Sequence, residues 1–67
     1  MNAENVYNAV KEVFDITKPI YEGYIIYLVG FEGLYILIES GLIEIDSVIN
    51  ERRFYVIKSK GDNYGRL

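Results

Sequence analysis

Residues 20–40 read Ile20-Tyr21-Glu22-Gly23-Tyr24-Ile25-Ile26-Tyr27-Leu28-Val29-Gly30-Phe31-Glu32-Gly33-Leu34-Tyr35-Ile36-Leu37-Ile38-Glu39-Ser40, and the fold turns on how they are taken. Fourteen of these 21 residues are apolar, placed all round with no clean period of 2 or 3.6. The β-branched and aromatic content favours two strands, over residues 24–29 and 34–39, joined by Gly30-Phe31-Glu32-Gly33. The punctuation favours two short helices: Pro19 at the first position of one, Gly30 stopping it, and Gly41 just past the end of the next. Both readings use every punctuating residue, so both stand at this point.

The flanks are plainer. From residue 3 to 16 the pattern is helical, with Val6, Ala9 and Val10, then Val13 and Phe14 recurring at three- and four-residue spacing. Asn5, Asn8, Lys11, Glu12 and Asp15 take the other side. Asn2 suits the N-cap and Glu4 sits in the first turn, where the helix dipole favours a negative charge. Thr17-Lys18-Pro19 is expected to end the helix, because the residue before proline is pushed out of the α region. On the other side, residues 42–48 and 53–59 are β-rich and are joined by Ile49-Asn50-Glu51-Arg52 as a hairpin connection. Ile43 and Ile45 share one face of the first strand, Glu44 and Asp46 the other. In the second, Phe54 and Val56 lie opposite Arg53, Tyr55 and Ile57. Residues 60–67, with two glycines, are expected to form a loose tail.

A chain of 67 residues allows one domain, spanning 1–67, and buries only ~60% of the surface its unfolded form exposes. It contains no cysteine, histidine, tryptophan or glutamine. Disulfides, thiolate zinc sites, histidine-ligated metals and Ser-His-Asp catalysis are therefore excluded. Apolar residues make up 51% and charged residues 25%, the balance of a folded domain. The net charge of −3 argues against an all-over basic coat for nucleic acid. Residues 1–7 lack the basic and apolar regions of a signal peptide. The apolar run over residues 24–38 is broken by Gly30, Glu32 and Gly33 and is shorter than the ~20 residues that cross a bilayer. The expectation is a cytoplasmic protein with no membrane partner.

Leu34-Tyr35-Ile36-Leu37-Ile38-Glu39-Ser40-Gly41-Leu42-Ile43-Glu44, followed by Arg52-Arg53-Phe54-Tyr55-Val56-Ile57-Lys58-Ser59-Lys60-Gly61, resembles the recognition-helix and wing half of a winged helix-turn-helix domain. The family's pattern there is L-x-x-L-x-x-x-G-L-[IV], then a two-stranded wing whose second strand carries basic and aromatic residues and closes on K-G. The resemblance covers residues 34–61. It implies that Leu34 and Leu37 pack the helix inward, that Gly41 takes a left-handed turn, and that Leu42 and Ile43 enter the wing from the core. It also implies three helices before the wing, and DNA as the partner. This sequence departs from the family in charge: residues 19–51 hold six carboxylates and no Lys or Arg, and Glu32 and Glu39 on a recognition helix would repel phosphates.

Three groups of residues are candidates for function. Glu39, Glu44 and Asp46 lie close enough in sequence for carboxylate-pair chemistry, but they read as a solvated face beside a turn. No calcium-loop spacing or phosphate loop is present, so no catalytic residue, cofactor or metal is expected and the chain does not read as an enzyme. The cations are concentrated late: residues 52–67 carry net +4 and residues 1–51 carry −7. Arg52, Arg53, Lys58 and Lys60 are the candidate nucleic-acid contacts. Tyr21, Tyr24, Tyr27, Phe31 and Tyr35 form an aromatic excess that a chain this small cannot bury, and such surface marks an interface. The sequence therefore supports an α+β fold. An N-terminal amphipathic helix and a C-terminal antiparallel hairpin are arranged as in a compact winged helix, or one helix packs on a four-stranded meander. Functionally it supports an interaction protein, dimeric or bound to a protein partner through the Tyr/Ile surface. The alternative is a small DNA-binding regulator using its basic wing.

Overall fold

A computed structural model describes residues 2–58. The elements run α1 (Ala3–Val13), β1 (Ile20–Tyr21), α2 (Glu22–Glu39), β2 (Ile43–Ile49) and β3 (Arg52–Ile57). The three strands form an open antiparallel sheet in the order β1-β3-β2. α1 packs on α2, and α2 packs on all three strands. The α+β class read from the sequence is the architecture observed.

α1 starts where expected, with the Asn2 side chain accepting from the Asn5 amide at 2.9 Å. It stops earlier than residue 16. Phe14 is extended, and the Asp15 carboxylate accepts from both the Thr17 amide (3.0 Å) and the Thr17 hydroxyl (2.6 Å). This local turn competes with helix propagation before Pro19 is reached. The same two bonds, the hydroxyl one first, hold the Asp15 carboxyl below its usual pKa. The inward row is Val6, Tyr7 and Val10, with Ala3 and Phe14 half-buried against the core; Val13 is exposed.

Residues 22–39 are helical, so the two strands at 24–29 and 34–39 do not form and the four-stranded meander is not the architecture. Pro19 does not open this helix, since β1 intervenes. Strand propensity loses because α2 is the middle element. It must satisfy its backbone internally while burying side chains against α1 on one side and the sheet on another, which also explains why its apolar residues follow no single stripe. The helix is broken at Gly30, whose φ of 79° and ψ of 171° divide it into arms 22–29 and 31–39. Gly30 thus lies in an inter-helix turn, and Gly33 lies inside the second arm. Gly30 takes the positive φ. At Gly33 an added Cβ would come within 2.6 Å of Val29 Cβ and Cγ2, so the missing side chain lets the first arm fold back onto the second.

The second arm closes with Gly41 at φ 78°. The Gly41 amide donates to Ile38 O (3.1 Å) and the Leu42 amide to Leu37 O (3.0 Å), a Schellman motif whose apolar pair, Leu37 and Leu42, is buried. The hairpin has a two-residue connection, Asn50 and Glu51, both with positive φ, between the paired residues Ile49 and Arg52. The strands are therefore β2 at 43–49 and β3 at 52–57, against the expected 42–48 and 53–59. Asp46 is the extra residue of a bulge between the pairs Ile45–Tyr55 and Ser47–Phe54. The core contains Val6, Tyr7, Val10, Ile20, Ile25, Leu34, Leu37, Leu42, Ile43, Tyr55 and Ile57. The expected loose tail at 60–67, including Lys60, lies outside the described residues.

Candidate functional site

The five aromatic interface candidates separate into two groups. Tyr21 is half-buried and packed within its own chain. Its ring lies over Gly23, where an added Cβ would meet Tyr21 Cε2 at 2.5 Å. Tyr24 meets it edge-on at 5.5 Å and Phe54 tilts against it at 5.7 Å between centroids. Phe14 stacks on Tyr24 at 6.5 Å, so one aromatic row joins the end of α1, the start of α2 and β3. Tyr27, Phe31 and Tyr35 make no such row among the described residues. They are 93%, 76% and 65% exposed, and Tyr24, despite its stacking, is 61% exposed.

Helical spacing explains the exposure on the second arm. Phe31, Tyr35 and Ile38 fall at i, i+4 and i+7 and share a face, while Gly33, Leu34 and Leu37 take the buried one. Ile38 belongs to this face and was not among the residues named from sequence. Its signal was the 3.6-residue spacing, which has no meaning until the stretch is known to be helical. Glu32 and Glu39 lie on the same arm, both exposed, and neither has an ion-pair or hydrogen-bond partner among the described residues.

Three of the four candidate nucleic-acid contacts are engaged with their own chain. Arg53 Nη1 lies 3.6 Å from Glu22 Oε1, and Lys58 Nζ lies 3.1 Å from Glu44 Oε1. The Arg52 guanidinium is 5.8 Å from the Tyr21 ring centroid. Both ion pairs are exposed enough to be worth little energetically. The Glu22 carboxylate does more than pair with Arg53, for it also accepts from the Tyr55 hydroxyl at 2.9 Å and so fastens the start of α2 to β3. Burial first, and then the bond to Glu22 and its charge, push the Tyr55 phenol above its usual pKa and keep it a donor.

The hairpin also exposes apolar surface that sequence reasoning did not single out. Ile45, Val48 and Ile49 are each more than half exposed, with Val48 paired to Arg53 and Ile49 to Arg52. An open apolar groove of about 220 Å³, lined by Asn5, Val6, Ala9, Leu28 and Val29, runs between α1 and the first arm. It is smaller than the pockets that enclose typical small ligands. Glu39, Glu44 and Asp46 do not gather: among the described residues no cluster of three or more acidic side chains is placed to hold a metal ion. No helix among them is long and apolar enough to cross a membrane. Compared with protein-family models, curated proteins and solved structures, the chain matches none.

Proposed function

We propose that this chain is a small winged-helix-like interaction module that self-associates through the aromatic face of α2. The order of elements supports the winged-helix part. A helix, a short strand and two helical arms about a glycine turn precede a hairpin, and the second hairpin strand pairs with the short one. With α2 counted as two arms, three helical segments precede the wing, although the second arm is short for a recognition helix.

One observation carries the interaction reading. The arm in the recognition position presents Phe31, Tyr35 and Ile38 to solvent with Glu32 and Glu39 beside them, and no Lys or Arg. A surface that is aromatic and acidic suits a protein partner and repels a phosphate backbone. Tyrosine and phenylalanine supply contact area at low rotamer cost, and covering them adds the core that a chain of this size lacks.

Sedimentation equilibrium of the full chain across concentration tests this. The wild type forms a dimer, and Phe31→Ala or Tyr27→Ala weakens it by about tenfold or more, with little dependence on salt. A chain that stays monomeric to ~1 mM would sink the proposal. Duplex DNA binding that weakens with salt and is lost in Arg52→Ala and Arg53→Ala would replace it with the backbone-binding regulator.

A further inference from the structure

The bend at residue 30 divides the molecule so evenly that neither side has a core without the other. Of the eleven core residues, five precede Gly30 and six follow it. β1, ahead of the bend, is paired with β3, behind it, through Ile20–Tyr55 and Tyr21–Phe54. Glu22 is also ahead of the bend, while the Tyr55 hydroxyl and the Arg53 guanidinium that meet it lie behind. All of these contacts cross residue 30, and a second copy of the chain offers the same groups.

What keeps them within one chain is the conformation of a single residue. Gly30, at φ 79° and ψ 171°, occupies a region essentially restricted to glycine and interrupts an otherwise helical 22–39. A Cβ added there would meet nothing within 4 Å, so the bar to a side chain is the backbone alone. Gly33 points the same way. Its added Cβ would be crowded by Val29 at 2.6 Å because the arms bend, whereas in a straight helix Cβ atoms four residues apart are about 5–6 Å from one another.

We infer that Gly30 is the hinge of a domain exchange between two copies of this chain. α2 straightens into one helix over 22–39, and residues 31–57 of each copy pack on the α1–β1 side of the other. The two-fold dimer so formed rebuilds both cores, both β1–β3 pairings and both Glu22–Tyr55 bonds from two chains, and loses only the bend. The exchange does not depend on docking through the α2 face, since the contacts exchanged are those of the core.

The chirality of a residue at position 30 tests the hinge. Gly30→Ala disfavours the bend and favours the helix, and both chains of a dimer contribute, so it is expected to dimerise about a hundredfold or more tightly than the wild type in sedimentation equilibrium. A synthetic chain with D-alanine at that position carries the same methyl but suits the positive φ, and it should associate no more tightly than the wild type. The Gly30→Ala dimer is then refolded from equal parts of isotope-labelled and unlabelled chain. Filtered NOE spectra are expected to show the Tyr21 and Phe54 rings, 5.7 Å apart between centroids, in contact between copies. A dimer with Tyr21–Phe54 contacts only within each chain, and Phe31 and Tyr35 between copies, would overturn the exchange and leave the face reading standing. A Gly30→Ala chain that is monomeric or unfolded at ~1 mM also overturns it, as does equally tight dimerisation of the D-alanine chain. A monomeric wild type beside an exchanged Gly30→Ala dimer would remove the face reading alone.

Discussion

α1 and α2 start, bury and end a helix by different means, and the contrast explains most of what is particular about this molecule. α1 is capped by its own Asn2, buries one row of side chains against one neighbour, and ends in a turn made by Asp15 and Thr17. α2 has no side-chain cap at Tyr21. Its first residue, Glu22, is fixed by Tyr55 and Arg53 from a strand more than thirty positions away. It buries side chains against both α1 and the sheet, yet still leaves Tyr24, Tyr27, Phe31 and Tyr35 in solvent. A helix with one neighbour needs one stripe. A central helix needs two, and surface beyond those two is free for association.

The widest separation between structural and associative roles should appear within α2 itself. Leu37 is fully buried, so Leu37→Ala is expected to lose about 3 kcal/mol in urea denaturation, a large part of the stability of a domain this size. Phe31→Ala, six positions earlier, should change stability by less than ~0.5 kcal/mol when both are measured at a concentration where the chain is monomeric, while weakening association at higher concentration. Equal destabilisation by the two would mean that Phe31 is core and that the contrast fails.

Next comes the glycine turn that makes α2 two arms. Alanine normally favours a helix over glycine by ~1 kcal/mol. At Gly33 the sign should reverse, because the new methyl meets Val29, and Gly33→Ala should cost about 2 kcal/mol. A stabilised variant would show that the arms are not folded back on one another.

The two helix starts can be compared directly. Asn2→Ala removes a local cap and should lose about 1 kcal/mol. Glu22→Ala leaves the Tyr55 hydroxyl without its acceptor and should lose a similar ~1–2 kcal/mol. The difference lies in where the loss is felt: hydrogen exchange should rise only in the first turn of α1 for the former, and in both α2 and β3 for the latter. Exchange confined to α2 would break the link between Glu22 and the sheet.

The smallest effect is the alkaline limb of the same contact. Folding raises the Tyr55 pKa, so the folded state holds that proton more tightly than the unfolded chain, which releases it near pH ~10. The stabilisation is complete below that pH and is lost as pH rises through the folded value. Urea midpoints measured from pH 8 to 11 should fall less steeply in Tyr55→Phe than in the wild type, and parallel curves would refute the assignment.

Legibility followed the range of the interactions. Asn2 as cap and Ile49–Arg52 as the span of a hairpin could be read because each is decided by residues within a turn of one another, whereas Gly41 closes a helix in only one of the two readings that residues 20–40 allow. The end of α1 was placed three residues late, since the side-chain bonds from Thr17 to Asp15 compete with the helix in a way that apolar spacing does not record. Of the aromatic candidates, Tyr24, Tyr27, Phe31 and Tyr35 lie outside the core. Tyr21, however, is packed into an intramolecular row, and Ile38 joined the exposed face only once the arm was known to be helical.

By itself the sequence determined the class of the fold, its capped first helix, its C-terminal hairpin, the absence of histidine and cysteine chemistry, and the division of charge between its two parts. Tertiary structure decided the state of residues 20–40. Their propensities pointed toward strands, yet only Ile20 and Tyr21 joined the sheet, and residues 22–39 became a broken helix because the site they fill lies between α1 and a sheet and needs apolar side chains on two sides. It also decided which aromatics remain in solvent and that Glu22, Arg53 and Tyr55 meet, for these depend on neighbours far along the chain whose approach no local pattern encodes.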